Sequence, residues 1–199
     1  MAEEAKDCPQ DILDIYNKLL PDTNIVKVDI SEIPKSPLNF FKNRSKLFTN
    51  NKEFISDSLN SFCIIRYPDG SKSYVTTQTK TYSANGDTEK LVYIYDQDGQ
   101  NKQIGYGEIR YNELRKDEYF KNKPFVGYTF TNENFEKQGY GTRRLKTMNA
   151  LSLRMFGFPL HSDTLIGEKA ERIWQRLTEK GETYSYLEGN KTRFAFKPR

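Results

Sequence analysis

The chemistry this chain could perform is most concentrated in the stretch FVGYTFTNENFEKQGYGTRRLKTMNALS, where a strand-like run passes through a polar turn into Gly139-Tyr140-Gly141 and then directly into a helical pattern. A glycine-rich turn opening a helix leaves backbone N–H groups without acceptors, and the helix dipole adds partial positive charge there. Such a turn can hold a diphosphate. Glycine at 139 and 141 would let phosphates approach the backbone donors, and Arg143 and Arg144 in the first helical turn could add charge-assisted contacts. The competing reading is that both glycines merely shape a loop and the arginines are solvated. A short Gly-x-Gly motif does not choose between the two.

In arrangement as well as letters, Glu136-Lys137-Gln138-Gly139-Tyr140-Gly141 followed by Thr142-Arg143-Arg144-Leu145 resembles the signature of the GNAT N-acetyltransferase superfamily. In that family a strand leads to Arg/Gln-x-x-Gly-x-Gly/Ala at the start of a helix, followed by a strand, a helix and a terminal strand pair. The segment PLHSDTLIGEKAERIWQRLTEKGE looks like the family's next strand and helix, closing at Gly181, so the resemblance spans residues 104–197. It implies an α+β fold with a mixed, mostly antiparallel sheet flanked by helices. It also implies an acyl-coenzyme A, most simply acetyl-coenzyme A, as co-substrate, with no metal. The diphosphate would lie on the run from Lys137 through Gln138, Gly139, Tyr140, Gly141 and Thr142 to Arg143 and Arg144. The strand Phe125 to Thr131 would splay from Leu160 to Thr164, and the backbone of Phe130, Thr131 and Asn132 would pair with the pantetheine arm in that gap. The chain departs from the family pattern in two respects. Glu136 stands where Arg or Gln is favoured, and Gly167, Ala170 and Trp174 stand where many members carry Asn, Ala and a Tyr that protonates the leaving thiolate.

Acylation of an amine by a thioester needs a base for the nitrogen's proton and a donor for the thiolate. Glu108, Glu133, Tyr184 and Tyr186 are the candidates. Glu108 follows Gly105-Tyr106-Gly107 in a strand, where an inward carboxylate could be desolvated. A solvated strand face or an ion pair is its plainer role. Glu133 sits in the turn before the glycines, where exposure is the default, and the two tyrosines alternate on a strand that suits tyrosine anyway. His161, the single histidine, precedes Ser162-Asp163, but no nucleophile-elbow pattern leads into Ser162, so it reads as a structural histidine. One His and two distant cysteines, Cys8 and Cys63, do not make a zinc set.

The elements that must position these groups are legible in outline. Pro9 and the spacing of Ile12, Ile15, Tyr16 and Leu19 predict a short helix before Pro21, and Asn24 to Ile30 alternates like a strand. Leu38 to Leu59 reads as two short helices. Four strands follow, Phe62–Tyr67, Ser73–Tyr82, Leu91–Tyr95 and Ile104–Tyr111, linked by turns containing Asp69-Gly70, Asn85-Gly86 and Asp98-Gly99, which predicts an antiparallel meander. After Phe125–Thr131 come a helix from Gly141 to Phe156, a short strand at Leu160–Thr164, and a helix striped by Ala170, Ile173, Trp174 and Leu177. A strand pair, Thr183–Leu187 and Thr192–Phe196, ends the pattern. Residues 1–60 are expected to form an N-terminal helical extension with the first strand, packed on an acyltransferase-like domain of residues 61–199.

Composition bounds the function classes. The 31 cations and 27 anions are interspersed, so the formal charge of +4 implies no single-sign field. Two cysteines fit a reduced, cytoplasmic setting, and neither a membrane span nor a secretory signal is expected. The prominence of Asn, Lys, Tyr, Phe and Ile would suit an AT-rich genome such as a phage's, with the host cytoplasm or a virion as the location. Three readings stay open at this point. The first is an N-acyltransferase whose amine acceptor is a protein lysine, a protein N-terminus, a small molecule or a nucleobase. The second is a non-catalytic module of the same fold used for binding or assembly, and the third is a nucleic-acid-binding domain using the basic helix face, which no recognised motif supports.

Overall fold

The alternation of β-branched and aromatic residues between glycine turns builds a continuous antiparallel ladder, seen in a computed structural model that describes residues 24–49, 54–82, 88–112, 123–163 and 165–197. Its strands are β1 (Asn24–Val28), β2 (Phe54–Arg66), β3 (Lys72–Tyr82), β4 (Thr88–Gln97), β5 (Gln103–Tyr111) and β6 (Phe125–Thr131), paired in sequence order. Among the described residues three α-helices accompany it: α1 (Lys35–Thr49), α2 (Tyr140–Phe156) and α3 (Glu168–Glu179). The fold is α+β with a mostly antiparallel sheet, as expected. The helix expected before Pro21 and the Asn85-Gly86 turn lie outside the described residues.

One expectation is corrected. Leu38 to Leu59 is one helix followed by a strand, because Phe54 pairs with Tyr82 and Leu59 with Gln78 of β3. The long, β-prone β3 offers this segment a ladder, and that partner outweighs a weak local helical pattern. In the turn after β4 the left-handed residue is Asn101, with φ 63°, rather than Gly99, and the Asp98 carboxylate accepts from the amides of Gln100 and Lys102 to close the loop. The division expected between residues 60 and 61 falls inside β2.

Both faces of the sheet are covered, so β4 is buried without a break from Leu91 to Gln97. On one face α1 sets Phe41 against Phe62, Ile64, Tyr74, Tyr93 and Tyr95. On the other, Leu145, Met148 and Leu151 of α2 and Trp174 and Leu177 of α3 cover Ile65, Val92, Ile94, Ile109 and Val126. Each fully buried side chain of this size contributes ~1.5–3 kcal/mol. Trp174 is core, as its helical spacing predicts, stacked 6.0 Å from Phe194.

Strands β7 (Thr183–Glu188) and β8 (Lys191–Phe196) pair with each other and join the main sheet through one residue. His161 bridges Phe125 in parallel and Ala195 in antiparallel sense. Its amide donates to the Pro124 carbonyl at 2.8 Å, and its own carbonyl accepts from Val126 N–H at 2.9 Å. The strand expected at Leu160–Thr164 is therefore reduced to this bridge. Past Val126, no further parallel pairing joins β6 to this segment among the described residues.

Candidate functional site

Asn132 follows β6, its amide donating to the Ile104 carbonyl at 2.8 Å, and its side chain caps a 3-10 turn at Glu133–Phe135 by accepting from Asn134 N–H. Lys137 and Gly139 then take the left-handed conformation, with φ 62° and 85°, reversing the chain into α2. Gly139 is the N-cap and brings no side-chain acceptor, so the amides of Tyr140, Gly141 and Thr142 open the helix without a capping bond. A side chain at 139 would meet no atom within 4 Å, so glycine is required there by φ and not by crowding. An anion could reach these amides.

The second glycine has a different reason. A Cβ on Gly141 would stand 2.9 Å from Ile173 Cδ1, so this glycine serves the close packing of α2 on α3. Arg144, expected beside the diphosphate, points into the protein instead. Its guanidinium is wholly buried, with Nε 2.6 Å from Asp96 Oδ2 and Nη1 donating to the Phe130 carbonyl at 2.7 Å and to Thr131 Oγ1 at 3.1 Å. Gly105 leaves room for it, since a Cβ there would lie 2.3 Å from Arg144 Nη2. A buried chain continues from Asp96 to the Ser73 hydroxyl at 2.6 Å, then to Tyr67 and Thr147 at 3.0 Å each. Burial, then the Asp96 charge, push the Tyr67 phenol above its ordinary pKa.

Arg143 lies 2.9 Å from Asp69 Oδ2 and stacks 3.8 Å over the Tyr67 ring, so it also is paired within the protein. Lys146 pairs with Glu182 at 2.8 Å. Three cations of this helix, Arg143, Arg144 and Lys146, thus have acidic partners within the protein. Glu136 turns to Lys169 of α3 at 2.7 Å, and this hydrogen bond and charge raise the Lys169 pKa. Lys137 and Gln138 remain exposed beside the helix start, Gln138 donating to the Asn134 carbonyl at 3.0 Å.

At the sheet junction, β6 carries one residue too many. Tyr128 pairs with Glu108 and Val126 with Ile109, leaving Gly127 as a bulge. A Cβ on Gly127 would stand 2.6 Å from Arg110 Nε and 2.8 Å from Glu108 Oε1, so only glycine fits over this ion pair. Glu108 is buried, as its inward reading requires, but its carboxylate is taken by Arg110 Nε at 2.5 Å. Paired residues of neighbouring strands share a face, which places Arg110, Phe125, His161, Ala195 and Tyr184 in one row across the sheet, opposite α2 and α3. Tyr184 and Tyr186 lie on this face, their rings 5.9 Å apart, whereas Glu133 is exposed in the turn that leads to α2. A glycine inside a strand is a bulge signal, so Gly127 was discoverable from sequence. Asp96, Asp69 and Lys169, the counterions, carried no such signal.

A shallow depression lined by Leu165, Ile166, Gly167, Glu171, Lys191 and Thr192 beside the start of α3 includes none of the expected site residues. Among the described residues, no group of three His, Cys, Asp or Glu side chains is placed to hold a metal, and no helix is long and apolar enough to cross a membrane. Comparison of the chain with protein-family models and with curated protein sequences finds no match.

Proposed function

We propose that the chain is an acyl-coenzyme A-dependent N-acyltransferase of the GNAT kind, with an amine as acceptor. The observation that carries this reading is the parallel pairing at Phe125–His161 that stops after one bridge, on the strand that feeds the uncapped N-terminus of α2. An unpaired strand edge offers amide and carbonyl groups to a pantetheine arm, and the free helix amides offer donors to a diphosphate. Because Asn132 N–H points to β5, the alternation of strand peptide groups turns those of Thr131 toward the open edge. Of the three residues expected to meet pantetheine, Thr131 therefore has the freest backbone. At the diphosphate, the residues that fit are Lys137, Gln138, Gly139 and the amides of Tyr140 to Thr142. The bound thioester would supply an activated acyl carbon.

Calorimetric titration with acetyl-coenzyme A tests the reading, with Lys137→Glu as the charge-reversed control at an exposed position. Binding by the wild type and at least about tenfold weaker binding by the variant are expected, a change worth ~1.4 kcal/mol. No heat at high protein concentration would overturn the proposal.

One observation favours a second reading. Trp174 stands where the family's thiolate-protonating Tyr is found, and it is packed between Phe194 and Phe196 with no route to a ligand edge. A GNAT-like module that binds without catalysis would keep the fold and lose that group. Thiol release from acetyl-coenzyme A over a panel of amines separates the two readings.

A further inference from the structure

The residue that ends the parallel pairing is also the single histidine of the chain. Its backbone is held on both sides, by Pro124 and Val126 and through the Ala195 bridge, so its side chain leaves the sheet at a defined point where the splay begins. The register puts that side chain on the face of Glu108 and Tyr184, away from the uncapped helix end. A thioester lying in the splay would be reached by an acceptor from this face.

The ring is oriented at one nitrogen and open at the other. Nδ1 lies 2.8 Å from the Tyr186 hydroxyl, with the two rings crossing at 86°, and Nε2 has no partner among the described residues. The charged groups around it are Lys123, Arg193 and Glu188. Lys123 stands 5.9 Å from the Tyr186 ring and pairs with Glu188 at 3.0 Å, while Arg193 pairs with Glu188 and donates to the Ser162 carbonyl. Burial, then the charges of Arg193 and Lys123, hold the imidazole pKa down to about 4, so it is neutral at physiological pH. Burial likewise raises the Tyr186 phenol to about 12, keeping its proton on. Glu108, the other inward candidate, already has a guanidinium on its carboxylate.

We propose that His161 is the general base of the transfer, receiving the amine's proton on Nε2 while Tyr186 holds the imidazole in the tautomer that leaves Nε2 unprotonated. This rests on the acyltransferase reading above. The amine enters uncharged, and its nitrogen attacks the thioester carbonyl carbon. As the C–N bond forms, an N–H proton passes to Nε2, and Nδ1–H donates to the Tyr186 oxygen throughout. The C–S bond then breaks, its electron pair leaving on sulfur, and the imidazolium gives its proton to the thiolate. Amine and thioester have become amide and thiol, and His161 is neutral again. The flanking cations disfavour a lasting imidazolium, which suits a proton held only in passing.

Because the chain has one histidine, its ring nitrogens can be observed without assignment. Nitrogen-15 NMR should show the Nδ1–H tautomer, and the ring signals should move when acetyl-coenzyme A saturates the protein. His161→Gln should bind acetyl-coenzyme A as the wild type does. With spermidine, lysine amide and a peptide bearing a free N-terminus as acceptors, it should lower kcat at least about 100-fold at unchanged KM for the thioester. Tyr186→Phe should lower kcat less and alter the tautomer ratio. An Nε2–H tautomer, ring signals that stay still at saturation, or unchanged turnover in His161→Gln would each overturn the inference while leaving the binding site standing. Acetyl-coenzyme A that binds without turnover on any of the three amines would also overturn it, in favour of the non-catalytic module. Failure to bind acetyl-coenzyme A at all would remove the acyltransferase reading and this one with it.

Discussion

Replacing Arg144 by Met tests whether the arginine after the glycine turn is a ligand or a keystone. In the structure its guanidinium is fully buried against Asp96, itself 3% exposed, and it also holds the Phe130 carbonyl and the Thr131 hydroxyl at the end of β6. Methionine fills much of the stem volume but leaves Asp96 buried with the Ser73 hydroxyl in place of a cation. Breaking such a pair from one side costs ~3–5 kcal/mol, because the remaining charge keeps its desolvation penalty without compensation. That is a large part of the ~5–15 kcal/mol that holds an ordinary domain together. At ~2–4 °C per kcal/mol for a chain of this size, the melting temperature should fall by roughly 6–20 °C. Asp96→Leu combined with Arg144→Met removes both charges and should recover most of the loss, giving a coupling energy above ~2 kcal/mol in a double-mutant cycle. Urea unfolding followed by circular dichroism measures all four corners. A loss below ~1 kcal/mol in the single variant, with no recovery in the double, would refute the buried-pair account and return Arg144 to the solvent side of the turn.

Gly127→Ala should cost ~1–3 kcal/mol, because its Cβ would displace the Glu108–Arg110 pair; thermal melts read the loss, which should shrink when Arg110→Ala is added. Gly141→Trp should act by forcing α2 from Ile173 of α3, so it should lower stability by ~2 kcal/mol or more in urea unfolding even without any ligand. His161 supplies a pH dependence whose sign is fixed by its depressed pKa, since the unfolded chain takes the proton at higher pH than the folded one. The stabilisation is complete above about pH 6.5 and is lost as pH falls toward about 4, at most ~3 kcal/mol in all. His161→Gln should flatten that part of a stability profile measured by urea unfolding between pH 7 and pH 4.

The meander, the helix opening at Tyr140 and the strand pair at the end of the chain were legible because each is set by a few neighbouring residues. Gly70 and Gly189 are left-handed in their turns, and Gly157 is left-handed at the end of α2. Segment 54–59 was misread because its apolar spacing serves helix and strand alike, and the deciding ladder with β3 lies some twenty residues away. At the site the division is similar. The glycine turn and its free amides are a local property of the sequence around Gly139, and so is the alternation that puts Tyr184 and Tyr186 on one face. The sequence could not say which cations remain available to an anion, since Asp96 is 48 residues from Arg144 and Asp69 is 74 from Arg143. Nor could it separate a glycine needed for its φ, at 139, from one needed for helix packing, at 141. Those outcomes depend on which distant side chains arrive within a few ångströms, and that is decided only when the sheet and its two helix layers close.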